Sequence, residues 1–315
     1  MSDTFFTAAP HWAWWIVFYF FVGGIAGSAF FLASLLHLSA RPPDRPSARP
    51  LVRLGYYVAL VGAIVSGILL TLDLNRPERF WHMLIESNTG QPMFKSWVPM
   101  SVGSWGLLLF GLFSFLAALA AFGEERPGSR LLQSAPVRFL RRRGPSIVVA
   151  VLGSIFGLFL AGYTGVLLAV TNRPIWADST LLGLLFLVSG ASTGAAALIL
   201  LGIWRRAADP ASINWLAWFD RRLLVLELVV LALFLVSLGS VAGVFLSWWG
   251  VALLIGVVGI GILVPLLLER RHRVHPSREL VRSASLVLLG GFLLRVVVLL
   301  SSEEIHVLGS GVTGP

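Results

Sequence analysis

Residues 12–38 read WAWWIVFYFFVGGIAGSAFFLASLLHL. The stretch holds no Asp, Glu, Lys or Arg, and its one titratable ring, His37, comes near the end. At 1.5 Å per residue it is long enough to cross a hydrocarbon core of about 30 Å as a helix. Arg41, Arg45, Arg49 and Arg53 follow at once. An apolar run closed by arginines reads as a membrane span whose exit lies on the cytoplasmic side. It is too long for the apolar core of a cleavable signal peptide, and residues 1–10 lack a basic start. The first span is therefore expected to act as an uncleaved signal.

The rest of the chain repeats this pattern. Of 315 residues, 57% are hydrophobic and 12% charged, with a mean hydropathy of +0.85. Soluble domains carry about 25% charged residues. Eight spans are expected, at roughly 12–38, 52–72, 100–122, 146–170, 180–203, 223–239, 247–268 and 283–301. Only helices satisfy their own backbone hydrogen bonds in lipid, and no run alternates as a barrel strand would. The expectation is an all-α integral membrane protein, with one membrane domain over 1–315. Within it, residues 12–122 carry the first three spans, 146–203 the next two and 223–301 the last three.

Arginine sets the orientation. The first connection holds the four arginines named above. The third holds Arg126, Arg130, Arg138, Arg141, Arg142 and Arg143; the fifth, Arg205, Arg206, Arg221 and Arg222; the seventh, Arg270, Arg271, Arg273, Arg278 and Arg282. These are nineteen of the 24 basic residues, all on one side, which marks the cytoplasm and puts both termini outside. The net charge of +9 is thus a topology signal and gives no reason to expect nucleic acid. The other side has Arg76, Arg79, Lys95 and Arg173, while Arg295 lies within the last span.

Three of those four outward residues belong to a repeated segment. Residues 71–82 read TLDLNRPERFWH and residues 168–177 read LAVTNRPIWA. Both Asn-Arg-Pro copies close an apolar run and precede a tryptophan. Pro ends a helix and Arg reaches for the interface, so each copy can be a plain stop signal. The alternative is that they frame a polar pocket at the outer ends of the second and fourth spans. Asp73 is costly there unless hydrated or paired, and Arg76 and Arg79 are near enough in sequence to pair with it. His82 follows in PERFWHMLIES, an amphipathic stretch expected along the membrane surface.

The chain has four tyrosines. Tyr56 and Tyr57, near the cytoplasmic start of the second span, read as interfacial belt residues. Tyr19 and Tyr163 each lie seven residues inside the outer end of a span. That puts both hydroxyls about 10 Å below the boundary. A buried phenol needs a hydrogen-bond partner. Both have small neighbours, in VGGIAGS around Gly23 and in AGYTG around Thr164, and the fifth span reads SGASTGAAA. Small residues at four-residue spacing let helices pack closely. They also let a flat ring approach the backbone, so a narrow slot between two phenols fits these residues. Glu227 is placed about a turn inside the sixth span, roughly 13 Å from the depth of Arg295, which argues against a direct pair. A proton-exchange role for Glu227 stays open beside plain solvation by Arg221 and Arg222.

Absences narrow the chemistry. With no cysteine, the chain offers no thiolate for zinc or an iron–sulfur cluster. Of the histidines His11, His37, His82, His272, His275 and His306, only His37 touches a span, so bound haem is not expected. No P-loop, HExxH or Ser/His/Asp pattern is present. Redox chemistry here would need a diffusible organic carrier and metal centres in another subunit.

HWAWWIVFYFFVGGIAGSAFF, DLNRPERFWHML, MFKSWVPMSVGSWGLLLFG, AGYTGVLLAVTNRPIW and GGFLLRVV, in that order, resemble the NrfD/PsrC family of polysulfide-reductase-type membrane subunits. The resemblance implies eight helices in two four-helix bundles, in the inner membrane of a prokaryote. It implies a menaquinone or ubiquinone site near the outer face, beside a four-cluster iron–sulfur subunit and a molybdopterin-type catalytic subunit. Tyr163 matches the family's tyrosine at the quinone head group, and Tyr19 occupies the place of an assisting polar residue. Gly23, Thr164 and Asp73 complete the expected slot. Asp73, His82 and Glu227 are the candidates for proton exchange, and Arg76, Arg79, Arg173 and Arg295 are expected pocket charges. A secondary transporter would instead show broken helices with paired ionisable groups, and a passive anchor would hold no quinone.

Overall fold

The computed structural model describes residue 12 and residues 14–39, 45–74, 76–129, 133–206, 209–270 and 276–310. Arg41, Arg130, Arg271, Arg273, His11, His272, His275 and Asn75 of the first Asn-Arg-Pro copy lie outside the described residues, as do the side chains of Arg45, Arg270 and His306.

The chain is helical: α1 (Trp14–Ser39), α2 (Arg45–Asp73), α3 (Pro99–Glu125), α4 (Ala135–Leu140), α5 (Arg143–Ala169), α6 (Leu182–Trp204) and α7 (Pro210–Ser237). After them come α8 (Trp248–Val251), α9 (Val264–Arg270) and α10 (Pro276–Ser310). Among the described residues there are no strands, only an isolated bridge between Ile85 and Pro92. Seven helices are long and apolar enough to cross a membrane, or up to eight if the bent pair Pro210–Ser237 and Gly239–Leu246 forms one span.

Proline places several starts. Pro99 and Pro210 sit in the first turns of α3 and α7, where a missing N–H costs nothing. Asp209 caps α7, accepting a hydrogen bond from the Ser212 N–H at 3.2 Å. That start corrects the sixth span, expected at 223–239. The charges Asp220, Arg221 and Arg222 lie inside the helix, with Asp220 buried and the two arginines exposed. They read as loop in sequence because burial of one carboxylate against a neighbouring helix leaves no local mark. At the other end the chain turns by 110° into a 3₁₀ helix, Gly239–Leu246, and Gly239 takes φ +56 at the corner. The seventh span runs from Trp248 to Leu268, and its middle, Ala252–Leu263, is π-helical.

The stretch PERFWHMLIES is also not one amphipathic helix. Pro77–Met83 form a short 3₁₀ helix, and the chain then folds back on itself. The Met93 N–H reaches the Leu84 carbonyl at 2.8 Å, and Gly90 turns the chain at φ +68. Proline at one end and the glycine turn at the other leave no room for a longer helix.

α1 is the central helix. It packs on α2, α5 and α6, and less extensively on α10. Glycine makes the approach possible. A Cβ on Gly27 would collide with the Gly157 carbonyl oxygen of α5. Around the ring of neighbours, α3 packs on α2 and α5, while α6 packs on α7 and α10, and α10 on the π-helical stretch.

Gly27→Ala should therefore cost about 1–3 kcal/mol through overpacking, read as a lower Tm of the detergent-purified protein. Gly67→Ala in α2, where a Cβ meets nothing within 4 Å, should be neutral or stabilising by up to about 1 kcal/mol. Equal losses in both would contradict the packing described.

Candidate functional site

The loop arginines define one end of the helix bundle as arginine-rich; the Asn-Arg-Pro segments lie at the other, arginine-poor end. There α1 and α5 bring Tyr19 and Tyr163 together, close enough for the two phenols to interact electrostatically. This convergence matches the expectation from depth. The expected opening between them is not present as an exposed cleft, since Tyr19 is 2% exposed and Tyr163 7%. The cause is the first turn of α3. The Tyr163 hydroxyl donates to the Pro99 carbonyl at 2.5 Å, and a Cβ on Gly103 would collide with the phenol oxygen. Phe159 stacks on the Tyr163 ring at 5.1 Å between centroids.

On the Tyr19 side, Gly23 gives the ring its space. A Cβ there would lie 3.5 Å from the Tyr19 ring and 3.6 Å from Ser66 Oγ of α2. Ser66 Oγ is buried and has no hydrogen-bond partner among the described residues. Sequence reading does not single it out, although it lies seven residues before Asp73, on the same face of α2. Thr164 is fully buried, but its hydroxyl donates back to the Ala161 carbonyl at 3.0 Å and so serves its own helix.

The two Asn-Arg-Pro copies have opposite fates. Arg76 and Arg79 are exposed, and Asp73 forms no ion pair with either among the described residues. The expected pairing fails because Pro77 starts a new 3₁₀ helix that carries both arginines away. His82 is half-buried, with its ring edge-on to Trp81 at 3.9 Å. The second copy is sunk into the fold. Arg173 is 4% exposed, its Nη1 lies 3.4 Å from Ser302 Oγ of α10, and its guanidinium lies 5.2 Å from the Trp176 ring. The Trp176 indole N–H donates to the Val298 carbonyl at 2.8 Å, and Trp12 stacks on the same ring at 5.3 Å. Ile175 takes φ +71 to make this fold-back, its N–H held by Asp178 at 2.9 Å.

Arg295 is fully buried. It donates to the Gly291 carbonyl at 2.6 Å, Ser189 Oγ at 3.0 Å and the Phe20 carbonyl of α1 at 3.3 Å. Its guanidinium also lies against the rings of Phe186 and Phe21, at 5.3 and 5.8 Å. Glu227 is buried within reach of Ser189 and of the Arg295 charge. This overturns the expected separation in depth. Because α7 starts at Pro210, Glu227 is well inside the helix rather than one turn from its end. Asp220, seven residues earlier on the same face, accepts from Ser192 at 2.6 Å. A polar seam thus joins α6, α7 and α10, and sequence reading misses both Asp220 and the serines facing it. The spacing of Asp220 to Glu227 is the available signal.

The family profile "Polysulphide reductase, NrfD" matches residues 4–305. A polysulfide reductase chain of Wolinella succinogenes is 26% identical over 306 residues, covering 93% of this protein and 94% of that one. Protein NrfD of Escherichia coli is 28% identical over 320 residues, covering 93% and 95%. A tetrathionate reductase subunit of Salmonella typhimurium is 28% identical over 168 residues, covering 52% of this protein and 42% of the relative.

The asymmetry of the two copies gives a direct comparison. Arg173→Ala should destabilise by about 1–3 kcal/mol, because it strips partners from buried polar groups. Arg76→Ala, on the surface, should stay within about 0.5 kcal/mol. Thermal unfolding of both variants in the same detergent decides; similar losses would mean the copies are equivalent after all.

Proposed function

The chain belongs to the NrfD family, and from that premise we propose that it is the quinone-binding membrane subunit of a multi-subunit respiratory oxidoreductase. The observation that carries the reading is the convergence of Tyr19 and Tyr163 beside Ser66 Oγ, a buried polar atom without a partner among the described residues. An orphaned buried hydroxyl costs about 1–3 kcal/mol. A quinone head group fits these residues: Ser66 and Tyr19 can donate to a carbonyl oxygen, and Gly23 leaves the ring room.

Bound quinone, menaquinone or ubiquinone, supplies the two-electron, two-proton couple. The protein's part is to orient and to move protons. Tyr163 already donates to Pro99, so it must release that bond to donate to a ligand, and the same movement opens the closed packing at Gly103. Ser66 and Asp73 lie on one face of α2, about 10 Å apart along the axis. Asp73, half-buried at the helix end, is placed to pass protons to the aqueous phase, with His82 in the next segment. Glu227 is a second proton-exchange candidate, on the far side of Arg295.

The packing neighbours support two four-helix bundles. One is α1, α2, α3 and α5; the other is α6, α7, α10 and the span from Trp248 to Leu268. The arginine distribution supports an inner-membrane orientation with both termini outside. Relatives that are single chains or subunits of reductases support partners, namely an iron–sulfur subunit and a molybdopterin-type catalytic subunit. The exposed aromatics Phe80, Trp81, Phe94 and Trp97 at the arginine-poor end suit such a docking face.

Tyr163→Phe should lower quinone-linked turnover about tenfold, the worth of one hydrogen bond near 1.4 kcal/mol, with assembly intact. Tyr56→Phe, at the arginine-rich end, should leave turnover unchanged. Solvent extraction of the purified complex should also yield quinone. Unchanged kinetics for Tyr163→Phe together with a quinone-free extract would leave a passive anchor as the reading.

A further inference from the structure

We propose that the cleft between α2, α3, α4 and α5 at the arginine-rich end is a binding site for an anionic phospholipid. This does not depend on the quinone reading, since the cleft lies at the opposite end of the helices.

The cleft has two adjoining parts. The deeper part, about 290 Å³, has an apolar floor that includes Val52, Ala117, Ala121 and Val149. The mouth, about 700 Å³, is walled by Arg49, Arg53, Arg138, Arg141 and Arg142, with Gln133 and one carboxylate, Glu124. Arg143 joins the lining of the deeper part. These volumes fall in the range of about 300–1,000 Å³ usual for ligand sites.

Charge is poorly balanced there. Arg53 Nε is buried and lies 3.6 Å from Glu125 Oε1, beyond hydrogen-bond length, and Nε has no hydrogen-bond partner among the described residues. Glu125 is shared with the Tyr57 hydroxyl, which donates to it at 2.9 Å. Arg141 is spent on the Gly123 carbonyl and Gln133. Arg49, Arg138 and Arg143 pair with no carboxylate among the described residues. A bias of loop arginines toward one side accounts for charge at this end, but not for its gathering around a concave, apolar-floored space. Phosphate oxygens match guanidinium forks bidentately, and basic pockets between spanning helices suit lipid head groups.

The apolar part selects a lipid over free phosphate. Ile147 lines the deeper part and is 37% exposed, so the cleft opens sideways toward lipid. Beyond it Val148, Val151, Leu152 and Ile155 continue as exposed apolar side chains along α5. An acyl chain can lie on that surface while its phosphate sits among the arginines.

The test uses the full chain in phosphatidylcholine nanodiscs, titrated with phosphatidylglycerol or cardiolipin and read by thermal unfolding and native mass spectrometry. The wild type should gain Tm with either anionic lipid and retain it in the spectrometer. Arg49→Gln combined with Arg138→Gln should weaken apparent affinity roughly 25-fold, about fivefold per arginine removed. Arg126→Gln, at the same end but not lining the cleft, should bind as the wild type does. Ala120→Leu fills the floor without changing charge; it should also weaken binding, and it stands in should the double variant not fold. Equal binding by the cleft variants, equal stabilisation by phosphatidylcholine alone, or saturation by millimolar inorganic phosphate would each overturn the proposal.

Discussion

The close approach of α1 to its neighbours is the constraint on which the rest depends. Lipid tails are as apolar as leucine, so no hydrophobic force drives helices together within a membrane. Packing must do it, and packing needs short side chains. α1 supplies them to several neighbours. Gly27 meets Gly157 of α5, and Gly24 meets Gly190 of α6, where a Cβ would lie 3.5 Å from the opposite Cα. On the α2 side the roles reverse: a Cβ on Gly55 or Gly62 would lie 2.5 Å from Ala33 or Ala26 of α1. One helix thus fixes the positions of three others, and every polar side chain of the site is carried by α1 or by a helix packed on it.

Arg295 depends on that geometry. A central arginine costs at least about 2.5–3.5 kcal/mol in a spanning helix. Its partners come from three helices besides its own: Phe20 on α1, Ser189 on α6 and Glu227 on α7. A Cβ on Gly24 would lie 3.1 Å from Nη2, so the glycine that admits α6 also admits the guanidinium. Small residues and buried charge are therefore two sides of one arrangement, since the charge is tolerable only where backbone carbonyls can be reached.

The sequence is most legible where the signal is local. Apolar runs locate the spans because crossing lipid needs length and nothing else. The matching depths of Tyr19 and Tyr163 follow from rise per residue, so their convergence can be anticipated. Pairings between distant helices cannot. Asp220 looks like loop because its partner Ser192 is 28 residues away, and the misplaced start of α7 then sets Glu227 at the wrong depth. The expected pair of Asp73 with Arg76 and Arg79 fails for a subtler reason. Nearness in sequence does not survive a proline that redirects the chain.

The repeated Asn-Arg-Pro shows how far one motif can be read. In each copy proline ends the helix, as its missing N–H requires. What the arginine does next is set by the residue after the proline. Ile175 accepts a left-handed backbone, offset by the hydrogen bond to Asp178, and this folds Arg173 and Trp176 down onto α10. Glu78 instead continues into a 3₁₀ helix that holds Arg76 and Arg79 at the surface. The buried copy ties the end of α5 to α10, behind Tyr163. The exposed copy leaves the end of α2 open beside Asp73. One copy holds the wall of the tyrosine pair in place, and the other leaves the carboxylate at the end of α2 in contact with water, which is the division of labour a proton-coupled site needs.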